Sequence, residues 1–145
     1  MNVTEQMELL CQHYFEESAK VFRNAKIGDG LFGMGDDPKK NPCHQRFYDN
    51  MEQLMKECSA GNMTSKQTGE VVFALLTAED RHKDQNETVK WMLMATQGLS
   101  LPMIPRMEAA EAASLLKWYS GYYSFLERFP MQRKVIAALK KAARR

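Results

Sequence analysis

The sequence predicts an all-α fold, a single-domain bundle of five or six helices with one long glycine-, aspartate- and proline-rich loop after the first helix. Three observations carry that reading. Apolar residues recur at helical spacing through six stretches, the period-two alternation of strands appears nowhere, and residues 27–44, IGDGLFGMGDDPKKNPCH, hold four glycines and two prolines. Glycine loses extra backbone entropy in a regular element and proline lacks an amide hydrogen, so that stretch reads as a loop.

Taken in order, Asn2 with Glu5 forms a capping pattern. From Val3 onward Met7, Leu10, Cys11, Tyr14, Val21, Phe22 and Ala25 define a first helix to about Lys26. Those side chains share an arc of about 140°, wide enough to face a bundle core. His13 falls on the polar side, where it is expected to pair with Glu17 at i+4. After the loop, Asn41 and Pro42 open a second helix that carries Phe47, Met51, Leu54, Met55 and Cys58, with Tyr48 at the edge, and stops at Ala60-Gly61-Asn62. Thr64 and Gln67 supply a capping box for a third helix, with Val71, Val72, Leu75, Leu76 and Ala78 inward and an end near His82.

Val89, Trp91, Met92, Leu93 and Met94 make the next segment apolar on nearly every side, so a central fourth helix ending at Gly98 is predicted. LSLPMIP is expected to be an extended connector, because the residue before each proline is pushed out of helical geometry. Pro105 opens the longest helix, about 105 to 128, in which Leu115, Leu116, Trp118, Tyr119, Tyr122, Phe125 and Leu126 form the spine of the core. Phe129-Pro130 breaks it. A basic amphipathic C-terminal helix, about 130 to 143, then sets Met131, Val135, Ala138, Leu139 and Ala142 against Arg133, Lys134, Lys140, Lys141, Arg144 and Arg145.

The 145 residues fit one domain spanning 1–145, a size that buries roughly 70% of the unfolded chain's surface. No apolar run approaches the roughly 20 residues of a membrane span, and MNVTEQMELL lacks the basic start of a secretory signal, so a cytoplasmic protein with no membrane partner is expected. Cys11, Cys43 and Cys58 form no CxxC pair and are expected to be free thiols. The net charge of +2 conceals an asymmetry: seven of the 20 Lys and Arg, and none of the 18 Asp and Glu, lie in residues 128–145. An acidic body therefore carries a basic tail.

Four constellations bear on chemistry. Gly28, Gly30 and Gly33 match GxGxxG, but no strand precedes them and no helix follows directly, so the dinucleotide reading fails on context. Asp29, Asp36 and Asp37 lack the EF-hand spacing and its closing glutamate. Cys43 and His44 occupy the first turn of the second helix, where the dipole favours a thiolate, which makes them the candidate nucleophile or anion site. Glu79, His82, Glu108 and Glu111 fall on inward arcs of the third and fifth helices, as in carboxylate metal bundles, although only one Glu-x-x-His is present.

With no complete catalytic set, the sequence favours a non-catalytic interaction or regulatory module whose partner is a protein, either itself or another. Its eleven methionines suit adaptable contacts. The rivals are a metal- or thiol-dependent enzyme with a site between the third and fifth helices near the loop, and nucleic-acid or acidic-partner binding through the C-terminal basic residues. No cofactor is predicted; a metal ion at the four carboxylate and imidazole positions is the exception to test.

Overall fold

A computed structural model describes residues 2–24, 42–124 and 129–144. Within the first helix it describes side chains as far as residue 20. The 27–41 loop with its glycines and aspartates, the Asn41 cap, the inward placement of Val21, Phe22, Ala25, Phe125 and Leu126, and Arg145 lie outside the described residues.

Seven α-helices and two 3₁₀ turns make up the described fold, and no strand occurs among these residues. The helices are α1 (Val3–Asn24), α2 (Pro42–Ala60), α3 (Ser65–Leu76), α4 (Ala78–Arg81), α5 (Glu87–Ala95), α6 (Ala109–Tyr122) and α7 (Pro130–Ala143). The 3₁₀ turns, Thr96–Ser100 and Ile104–Arg106, join α5 to α6. Two helix pairs, α1 with α2 and α6 with α7, are the most extensive contacts, and α3 packs on both α1 and α6. All seven helices contribute to one buried apolar cluster, in which Val72, Leu75, Leu93, Ile104, Val135 and Leu139 are wholly enclosed. No described helix is long and apolar enough to cross a membrane.

Local chemistry accounts for most helix starts. The Thr64 hydroxyl accepts from Gln67 N, and Gln67 returns a bond to Thr64 N, so the predicted capping box is complete. Asn2 Oδ1 accepts from Glu5 N at 2.9 Å, but the Glu5 carboxylate accepts from the Asn2 side chain and not from its backbone. Asn86 caps α5 in the same way, through Val89 N.

Four predicted boundaries are corrected. The third helix breaks at Thr77, whose hydroxyl donates to Phe73 O at 2.7 Å and accepts from Arg81 Nε at 3.1 Å, competing with the backbone ladder. The fourth ends at Ala95 and passes into the first 3₁₀ turn; it buries Val89, Met92 and Leu93 while Trp91 stays 43% exposed, so its apolar surface is not all used. The fifth runs from Ala109 to Tyr122, shorter than predicted.

The connector is compact, not extended. Leu101 precedes a proline yet sits at φ −54°, ψ −42°. Bonds from Leu101 N to Gly98 O, Met103 N to Ser100 O and Arg106 N to Met103 O wind the segment tightly. Thr96, Gln97, Ser100, Met103 and Ile104 are all fully buried, and an extended strand there would leave backbone groups without partners; i→i+3 turns satisfy them locally. Burial thus overrides the steric bias before proline.

Candidate functional site

Among the described residues a cleft of about 1110 Å³ has α1 and α6 as its walls, with α3 between them. Its lining repeats one helical face on each wall: Glu5, Glu8, Leu9 and Gln12 on α1, Lys66, Gly69, Glu70 and Phe73 on α3, and Glu111, Ser114, Leu115 and Trp118 on α6. Leu9 is 40% and Phe73 54% exposed, so the cleft opens to solvent along an apolar stripe. Trp118 is half-buried and stacks on Tyr122 at 4.9 Å between ring centres.

Four glutamates and two basic residues surround that stripe. Arg81 is engaged: it pairs with Glu8, and its Nη2 donates to Ala74 O at 2.5 Å. Glu5 accepts from Asn2. Glu70, Glu111 and Lys66 make no hydrogen bond or ion pair among the described residues, which leaves the cleft acidic.

The structure disperses the predicted metal set. Glu79 accepts from the Tyr122 hydroxyl at 2.5 Å, and burial followed by that carboxylate pushes the phenol pKa up. His82 Nε2 lies 3.1 Å from Glu8 Oε2 and its ring stands edge-on to Phe15. Glu108 is exposed at the start of α6, and Glu111 faces the cleft. Among the described residues no group of three or more His, Cys, Asp or Glu is placed to hold a metal ion. The wheel placed Glu79 and His82 inward because it could not see partners 43 and 74 residues away that meet them at the helix edge.

Cys43 and His44 are both buried, contrary to a reactive site. All three cysteines are enclosed thiols. Burial pushes the Cys43 thiol up, with Glu17 adding to it, and outweighs the helix start and nearby Arg46. Burial, then Glu8, raises Cys11 to about 12. His44 Nδ1 and the Tyr14 hydroxyl share a buried hydrogen bond of 2.6 Å whose direction the ring's tautomer sets, and Cys43 Sγ is 4.0 Å from the same nitrogen. Tyr14 also stacks on Phe47 at 4.5 Å. These groups hold α1 to α2. Glu17 pairs with Arg46 across the same interface, not with His13, which is exposed.

Burial holds the His44 pKa below its ordinary 6.5, and the sign of its linkage follows. Above that value both folded and unfolded chains carry a neutral ring. As pH falls through it, the unfolded chain takes up a proton that the folded one refuses, so stability declines until the lowered folded pKa is passed. Urea unfolding at about pH 7.5 and about pH 5 is therefore expected to show a loss of stability that shrinks in His44→Gln. An equal loss in both proteins would remove His44 as the cause.

On α7 and its C-cap, Arg133, Lys134, Lys140, Lys141 and Arg144 are all exposed, and none of their side chains forms an ion pair or hydrogen bond among the described residues. Its opposite side, with Val135, Leu139 and Ala142, is buried against the rest of the fold.

Sequence reasoning missed the cleft. The signal was there in two large apolar residues off their stripes: Leu9 lies opposite Met7 and Cys11 on α1, and Phe73 lies opposite Val71 and Leu75 on α3. No protein-family model matches the chain, and neither does any curated protein or solved structure.

Proposed function

We propose that the protein is a non-catalytic interaction module whose α1–α3–α6 cleft receives an amphipathic helix of a partner protein. The observation that carries this is the match of shape and surface. Each wall presents about two helical turns, roughly 12 Å, and a two-turn helix about 10 Å across has a volume of roughly 900 Å³. The cleft's size is close to that, and its stripe of Leu9, Phe73 and Trp118 offers anchor points for apolar residues spaced i, i+3 and i+7. The unpaired glutamates favour a partner that is basic beside its apolar face.

A second copy of this chain is disfavoured as occupant, since α7, the basic amphipathic helix among the described residues, already buries its apolar side against its own core. The test uses a fluorescein-labelled helical peptide with leucine on one face and lysine on the other. Saturable binding is expected, weakened on the order of 100-fold by Phe73→Asp, the scale of an interface hot spot. Phe73 is exposed, so the variant should keep its melting curve. Binding indifferent to Phe73→Asp would overturn the reading; a concentration-dependent dimer abolished by the same change would replace the foreign helix with a second copy.

The basic face of α7 supports a second reading, association with a polyanion such as nucleic acid. Its five described cations fall within an arc of about 120° along about 16 Å of helix. Single-stranded and duplex oligonucleotides should then bind with steep salt dependence, lost when Lys134, Lys140 and Lys141 are changed to glutamine. Salt-insensitive binding, or none, removes it.

A further inference from the structure

The geometry points to a cation-reading position on the cleft floor: the Glu111 carboxylate, lying over Gly69, receives one lysine or arginine side chain of the docked partner helix and thereby sets which helix binds and in what register. The inference rests on the cleft being the docking surface.

Gly69 is buried in the middle of α3, where glycine is a poor helix former compared with alanine. Its lack of a side chain has a specific consequence. A Cβ at this position would stand 1.9 Å from Glu111 Oε2 and 3.1 Å from Glu111 Cδ, so glycine is what lets the carboxylate lie against α3. Glu111 is half-buried and lines the cleft with Met107 and Leu115, and its carboxylate makes no hydrogen bond or ion pair among the described residues. Lys66, one turn before Gly69, does not pair with it.

A negative group set partly out of water beside apolar surface and left without a partner is unfavourable until a cation reaches it. Lysine and arginine suit the position because their long stems lie along apolar surface while the head meets the acid. Glu70, exposed on the rim, adds to the attraction during approach without entering the floor. The arrangement thus rewards a helix with a cation set between its apolar anchors, and disfavours one with a carboxylate there.

The experiment compares two labelled amphipathic peptides, identical except at the centre of the apolar face, which is lysine in one and norleucine in the other. By fluorescence anisotropy the unmodified protein should bind the lysine peptide on the order of tenfold more tightly, the scale of a partly desolvated charge pair. Glu111→Gln keeps shape and removes the charge. Gly69→Ala keeps the charge and displaces it. Both should erase the tenfold preference, so that each variant binds the two peptides equally, and both should melt no lower than the parent.

If the preference survives in both variants while Phe73→Asp still blocks both peptides, the cation position is overturned and the cleft remains the docking surface. If neither peptide binds the parent protein, the docking reading itself falls, and this inference with it.

Discussion

Gln97→Ala is expected to lower the free energy of unfolding by about 3 kcal/mol or more, because it leaves several buried groups without partners at once. Gln97 is wholly enclosed. Its Oε1 accepts from the Tyr119 hydroxyl at 2.8 Å, and its Nε2 donates to the Tyr123 hydroxyl at 2.8 Å and, at a longer 3.3 Å, to Leu76 O at the end of α3. Burial pushes both tyrosine pKa values up, so the hydroxyls keep their protons and the network holds one pattern. Truncation strands the Tyr119 donor, removes the donor to Tyr123, and reopens a carbonyl that α3 cannot satisfy internally. Each such group costs roughly 1–3 kcal/mol, whereas Tyr119→Phe strands only the Gln97 oxygen and should cost about 1–2 kcal/mol. Replacing all three, as Gln97→Met with Tyr119→Phe and Tyr123→Phe, should cost less than the single truncation, since only the Leu76 carbonyl, the acceptor of the longest of the three bonds, is then left alone. Urea unfolding followed by circular dichroism reads these differences. A Gln97→Ala loss within about 0.5 kcal/mol, the range of an ordinary surface change, would show that water replaces the amide freely.

That network also marks the limit of what periodicity can reveal. Met51, Leu54, Val72, Leu75, Leu115, Val135 and Leu139 are buried where their spacing placed them, and the Thr64 box closes as its residue types require, because both depend on neighbours within one or two turns. Gln97 carries no such signal: a glutamine beside Gly98 reads as the end of a helix, and its partners lie 21 to 26 residues away. The connector was misread for a related reason. Local sterics favour extension before Pro102, but the buried backbone around Ser100 and Met103 needs hydrogen bonds more than it needs relief from the proline ring. For the cleft, a wheel shows which residues leave the core and not whether they meet. Leu9 and Phe73 each leave the core stripe of their own helix, and only the packing of α1 against α3 sets them in one cleft.

Arg106→Ala is expected to cost about 2–3 kcal/mol, the loss of charge-assisted bonds to backbone carbonyls that meet no other donor among the described residues. The guanidinium donates through Nη1 to Ser59 O at 2.9 Å, and through Nη2 to Gly61 O at 3.2 Å and Met63 O at 3.4 Å. It thereby closes the end of α2 and the turn into α3, satisfying carbonyls that a helix terminus leaves open. Lysine puts its three donors on one compact head and cannot span the same fan of acceptors, so Arg106→Lys should recover no more than about half of the loss. The consequence reaches the cleft, because Arg106 ends the second 3₁₀ turn and is followed by Met107, which lines the cleft just before α6. Hydrogen exchange in Arg106→Ala should therefore quicken at residues 59–63 and 104–112 before it changes in α7. Uniform acceleration across the whole chain would mean that the residue supports global stability alone, and that the cleft floor is held by α6 packing instead.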